Sequence, residues 1–281
     1  MKADADFQLP AEMTLTAAQR RLGATITGSG DRVLVFANGL GTSQHTWRHI
    51  VDGLQTRARC IRFDNVCSPV APPGGYRAEV YGSLYAYVDD VVELLDELDV
   101  HDVLFVGHSI SGMIGLLAAI VAPQRIGRLA LINSTPRYLE AVDFRFGFPR
   151  NRIDALLLAA QTDYAAWVEE FALAVTGPGA TDAQTQEFRE LLGSMRPDVA
   201  FRTLQLAFLC DVRTSLARVT QPVYVMHARE DAVVPSSAGE YMVQRIPRAQ
   251  LLPLSARTHL PHLVEPNDVV QHLHRILDAW T

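Results

Sequence analysis

The chain has 281 residues, of which 48% are hydrophobic and 20% charged, and its 31 acidic against 25 basic side chains give a formal charge of −6. That length carries one large domain or two small ones around a sizeable core, and the composition excludes bulk disorder. The acidic balance argues against a nucleic-acid-binding surface, which needs a basic patch, and reads as an ordinary solvated exterior. Cys60, Cys67 and Cys210 are too few for a disulfide framework, and no Cys/His cluster has metal-ligand spacing. The segment MKADADFQLP lacks the apolar stretch of a secretory signal, and the longest apolar run, residues 114–122, is too short to span a bilayer. A reduced, soluble, cytoplasmic protein is expected, with no membrane or nucleic-acid partner.

In chain order, residues 1–13 read as a loose polar arm, and TLTAAQRRLG (residues 14–23) as the start of a short helix. GATIT (23–27) alternates into a strand, and GSGD is a turn. RVLVFAN (32–38) is apolar almost throughout, the pattern of a strand buried on both faces of a parallel sheet. Helix and strand then alternate: TWRHIVDGL, ARCIRFD, LYAYVDDVVELLDEL, DVLFVG, SGMIGLLAAIVA and RLALIN. The chain closes with strand PVYVMHA, helix SAGEYMVQRI, strand AQLLPL and helix NDVVQHLHRILDAW. Such alternation predicts an α/β fold with a mostly parallel sheet flanked by helices. Between about Tyr138 and Ser215 the pattern breaks into helical segments only. Residues 138–215 are therefore expected to form an all-helical cap inserted into a core of residues 1–137 and 216–281. Its expected place is over the carboxyl ends of the strands, where open α/β sheets bind ligands.

Gly107-His108-Ser109-Ile110-Ser111-Gly112 stands directly between strand DVLFVG and helix SGMIG. A strand–turn–helix elbow strains its middle residue and lifts Ser109 above the sheet, with small neighbours to avoid collision. Ser111 replaces the usual second glycine and is small enough for the turn. A nucleophilic serine needs a base and an orienting acid, and with this elbow they follow in the order Ser, Asp or Glu, His. Asp231 follows strand PVYVMHA, and His259 follows strand AQLLPL, where that order places them. Glu230 and His262 are the competing acid and histidine; His262 reads as structural, and His108 as a packing and hydrogen-bonding neighbour. Asn38-Gly39-Leu40-Gly41 follows the first long strand, so the Leu40 and Ile110 backbone amides are expected to form an oxyanion hole. The set describes acyl transfer to Ser109 and then to water, with no metal or organic cofactor required.

GSGDRVLVFANGLGTSQHTW, FVGHSISGMIG, YAAWVEEF, MRPDVAF and THLPHLVEP together resemble the α/β-hydrolase branch of the plant strigolactone and karrikin receptors and the bacterial stress sigma-factor regulator hydrolase. The resemblance runs from about residue 17 to the end. It implies an α/β-hydrolase fold with a helical cap, and Ser109, Asp231 and His259 as the triad. It also implies an apolar pocket with Trp167 in its lining, and a small hydrophobic ester or lactone as substrate. Some relatives act as receptors, so a protein signalling partner is a second expectation. A non-hydrolytic cyclisation or carbon–carbon cleavage is a third, kept by the unusual loop from Cys67 to Tyr76. Asn38 stands where the branch usually has His, Thr258 where it has Gly before the histidine, and Cys67 where it has Gly.

Overall fold

A computed structural model describes residues 15–280; the arm expected over residues 1–13 lies outside them. Seven strands, β1 (Thr25–Thr27), β2 (Val33–Ala37), β3 (Arg59–Phe63), β4 (Val103–His108), β5 (Ile126–Ile132), β6 (Val223–Ala228) and β7 (Ala249–Leu254), form one sheet in the order β1-β3-β2-β4-β5-β6-β7. Only β1 runs antiparallel to its neighbour, so the sheet is mostly parallel as the alternating pattern requires. Each β-strand expected from the sequence is present.

Every residue of β2 and β4 is buried, which explains their nearly continuous apolar runs. Successive side chains serve opposite layers. Val33 and Val35 of β2 and Phe105 of β4 join helices α3 (Leu84–Glu97) and α4 (Ile110–Val121) in one core. Leu34 and Phe36 of β2 and Val106 of β4 join α2 (Arg48–Leu54) and the terminal helix, Pro266–Asp278, in the other. Ahead of the sheet, α1 (Ala17–Arg21) starts at Thr16 with a capping box completed by Gln19. Among the described residues, no helix is long and apolar enough to cross a membrane.

Between β5 and β6 come four helices, α5 (Arg150–Thr162), α6 (Tyr164–Thr176), α7 (Asp182–Ser194) and α8 (Pro197–Leu209). Their apolar faces share a third core with Val234, Leu260 and Leu263 from the loops after β6 and β7. The chain enters and leaves this insertion at adjacent points. Arg137 bridges Asp211 in backbone and by ion pair, and the Val212 amide donates to Pro136 O at 3.0 Å. Arg48 of α2 reaches Glu187 of α7 through two bonds of 2.7 and 2.8 Å. Then follow α9 (Ser236–Val243), the short α10 (Pro261–Val264) and α11 (Pro266–Asp278).

The sheet order reverses at β2. From β2 the chain passes to β3 on one side and later to β4 on the other, so the loops after β2 and β4 diverge above a crevice. Stability of that crevice rests on the core beneath it, where the Phe105 ring is fully buried against Gly115. Phe105→Ala is expected to lower the unfolding free energy by about 3–5 kcal/mol in urea titration, the cost of a large apolar side chain plus the cavity left behind.

Candidate active site

The turn after β4 is a strained one. Ser109 caps α4 with φ 56 and ψ −125, a left-handed backbone that non-glycine residues rarely adopt. Its amide donates to Ile132 O at 2.9 Å, and the Ser134 hydroxyl donates to its carbonyl at 2.8 Å. Gly107 is required here because a Cβ would stand 2.6 Å from Ser111 O. Ser111 does more than fit. Its buried hydroxyl donates to Asn38 O at 2.7 Å and accepts from Asn65 Nδ2 at 3.1 Å. The elbow is thereby tied to the loop after β2, a bond that the usual glycine does not supply.

Asp231 and His259 arrive from the loops after β6 and β7. His259 Nε2 lies 3.0 Å from Ser109 Oγ, and its Nδ1 donates to Asp231 Oδ2 at 2.7 Å. The other carboxylate oxygen, Oδ1, accepts from the Val233 and Val234 amides at 2.7 and 3.1 Å, which fixes its rotamer. Glu230, the competing acid, points away into an ion pair with Arg257 at 2.8 Å. Thr258 holds the histidine loop to α6: its hydroxyl donates to Val175 O at 3.3 Å and accepts from the Leu260 amide at 2.9 Å. The His259 amide donates to the same Val175 O at 2.9 Å.

Sequence reasoning missed two residues. Asn133, at the end of β5 with φ 45, is fully buried. Its Nδ2 donates to Thr258 O at 3.0 Å and His259 O at 3.1 Å, while its Oδ1 accepts from the Ala228 amide at 2.8 Å. One side chain thus joins the ends of β5 and β6 to the histidine loop. Tyr138, the first residue assigned to the insertion, places its hydroxyl 3.2 Å from Ser109 Oγ. Its ring packs edge-on against Phe208 of α8 at 4.8 Å, and burial pushes the phenol pKa up, so it stays protonated. An aromatic side chain just past the end of a central strand was the available signal.

Leu40 and Ile110 both border the space above Ser109. Among the described residues, neither amide has an intramolecular acceptor. Gly39 allows the approach of the two loops, since a Cβ there would meet His108 Nδ1 at 2.5 Å. Tyr138, Phe171, Phe188 and Phe208 complete an apolar cavity of about 400 Å³, much of it crevice narrower than a water molecule. Trp167 does not line it, contrary to the expectation. Trp167 sits one helical turn before Phe171 on the same face of α6 and stacks behind it at 4.6 Å, so Phe171 and Val175 are the residues that reach the cavity.

Beneath the site lie two further histidines. His108 Nε2 donates to His259 O at 2.8 Å, as a packing neighbour rather than a base. His262 is fully buried in α10 and stacked on Trp47 at 4.2 Å, with neither ring nitrogen hydrogen-bonded. Burial, reinforced by His259 and Arg48, pushes the His262 pKa down to about 3; burial likewise depresses His108.

A mostly parallel sheet, an elbow at β4, and acid and histidine loops after β6 and β7 define one fold class. The chain belongs to the alpha/beta hydrolase fold family, whose model matches residues 32–266. Within it, the chain is 35% identical over 254 residues to a karrikin insensitive 2 receptor of Petunia hybrida, covering 89% of this chain and 94% of that one. It is 34% identical over 257 residues to a strigolactone esterase of Arabidopsis thaliana, covering 91% and 96%. A solved hydrolase from Oleispira antarctica superposes with a TM-score of 0.90 at 26% identity, covering 93% of this chain and 96% of that chain.

The buried histidines give a pH signature. The folded protein keeps His262 neutral down to about pH 3, whereas an unfolded chain protonates it near pH 6.5. Its contribution is therefore complete above about pH 6.5 and is lost progressively as pH falls toward the folded value. Urea unfolding between pH 7 and 4 is expected to show this decline. His262→Phe, which keeps a ring on Trp47, is expected to reduce it by the His262 share and leave that of His108.

Proposed function

We propose that the protein is a serine hydrolase of small hydrophobic esters or lactones. The observation that carries the reading is the continuous line Asp231–His259–Ser109, meeting two free amides at the floor of an apolar cavity. With His259 Nδ1–H held by Asp231, Nε2 accepts from Ser109 Oγ–H, and the Tyr138 phenol donates to Ser109 Oγ in turn. On attack, Oγ forms the bond to the ester carbonyl and its proton passes to His259 Nε2, whose positive charge Asp231 stabilises. The carbonyl oxygen becomes an oxyanion received by the Leu40 and Ile110 amides. His259 then protonates the departing alcohol oxygen as the ester bond breaks. A water molecule, deprotonated by His259, attacks the acyl-Ser109 and releases the acid. In a lactone the departing oxygen stays attached to the product.

The four inserted helices act in this reading as a cap over residues 1–137 and 216–281. The narrowness of the cavity means that substrate entry displaces part of it. That feature also supports a second reading, since one relative is named a receptor: ligand-driven movement of the cap presents a surface to a signalling partner, with hydrolysis slow.

With p-nitrophenyl acetate, Ser109→Ala is expected to lose at least about a thousandfold in kcat/KM while keeping its circular dichroism spectrum. Turnover surviving in that variant defeats the hydrolase reading. Tyr138→Phe is expected to lose roughly three- to tenfold, the worth of one neutral hydrogen bond to the nucleophile. A burst of one equivalent of nitrophenol that then stalls marks slow deacylation and favours the signalling reading.

A further inference from the structure

A second space lies behind the oxyanion loop. Leu40 and Ile110, which wall the Ser109 cavity, wall this chamber too, together with Leu84, Ile114 and Leu206. Its empty volume, crevices included, is about 380 Å³, close to that of the Ser109 cavity, and like that cavity it is nearly shut.

Part of the chamber wall is polar, where Tyr87, Cys67 and Thr203 meet. Tyr87 is 2% exposed, and its hydroxyl lies against the Cys67 thiol and the Thr203 hydroxyl without a hydrogen bond of normal geometry. Thr203 beside it has given its proton to Val199 O at 2.8 Å. Buried hydroxyls are rarely left unpaired, because water would otherwise have bonded them. Tyr87 therefore carries a weakly engaged donor on the polar side of a chamber lined mainly by apolar side chains, with Asn38, Asn65 and Ser68 also in its wall. Cys67 also borders the surface groove between the proline-rich loop and Met195, so the polar end is the outer end.

We propose that this chamber is a second substrate subsite. It takes the apolar acyl arm beyond the scissile carbonyl, and the Tyr87 hydroxyl donates to an ether, carbonyl or ring oxygen carried on that arm. The proposal rests on the ester-hydrolase reading above. A carbonyl held at the Leu40 and Ile110 amides sits at the shared wall. One arm of the substrate fills the Ser109 cavity, and the other enters the chamber as the two side chains give way. Substrates are thereby selected for an oxygen at a set distance from the ester, a feature that a purely apolar pocket does not read.

The test compares p-nitrophenyl esters of four- to eight-carbon acids with their ω-methoxy counterparts of equal chain length. The readout is the kcat/KM ratio of methoxy to plain ester within one enzyme, so a general loss of activity cancels. Wild type is expected to favour the methoxy ester about tenfold at one chain length. In Tyr87→Phe, which keeps the ring, that ratio is expected to fall to about one. Equal ratios in the two enzymes at every length overturn the subsite, while steady Ser109-dependent turnover of the plain esters leaves the hydrolase reading standing. Should no ester turn over, the hydrolase reading fails and a binding measurement decides the subsite. In Ser109→Ala, methyl 6-methoxyhexanoate is expected to slow iodoacetamide alkylation of Cys67, read by peptide mass spectrometry. Alkylation unchanged by that ester, or slowed equally when Tyr87→Phe is added, overturns it.

Discussion

The backbone turn at Ser109 is the constraint on which the site depends. A left-handed serine costs on the order of 1–3 kcal/mol and persists only where its surroundings over-determine it. Here the surroundings do so from three sides: Ile132 O receives the Ser109 amide, Ser134 bonds its carbonyl, and Gly107 lets α4 fold back onto β4. The buried β4 and α4 supply the packing that offsets the strain. In return the turn aims the Ser109 hydroxyl at His259 and leaves the Ile110 amide free at the amino end of a helix, where the backbone dipole favours negative charge.

The same logic runs through the departures from the family pattern. Ser111, where the wider fold usually has glycine, forms a buried bond from the elbow to the backbone carbonyl of Asn38 in the loop after β2. Thr258, where a glycine is usual, anchors the histidine loop to α6 through Val175. Asn133 accepts a strained φ and uses both ends of its amide to join three chain segments. Ser111 and Thr258 each add a bond within the support of the site, and the Asp231–His259–Ser109 geometry stays in place.

The fold was legible in the sequence because its signals are local. Apolar runs of strand length and helical periodicity marked every strand of the sheet, and small residues around Ser109 marked the elbow. The order of acid and histidine after late strands singled out Asp231 and His259, which the structure brings into hydrogen-bonding reach. What escaped depends on the third dimension. Tyr138 stands just past β5 as an aromatic residue, a signal that does not say its hydroxyl meets Ser109. Asn133 looks like an ordinary strand end until β6 and the histidine loop are laid beside it. Trp167 was placed at the cavity by the family resemblance, but one helical turn decides which aromatic residue of α6 faces inward. The weakly engaged Tyr87 hydroxyl was hidden in a helix whose periodicity speaks only of packing.

The paired entry and exit of the insertion at Arg137 and Asp211 have an evolutionary consequence. A segment whose two ends meet behaves as a cassette. Its length and content change at little entropic cost, because closing a longer loop grows only slowly more expensive. The sheet need not register the exchange so long as Tyr138 at Ser109 and Val175 at the histidine loop are kept. Ligand range and reaction chemistry are then separately heritable, and one ancestral scaffold can acquire new ligands by rewriting the cassette without reinventing the bond-breaking apparatus beneath it.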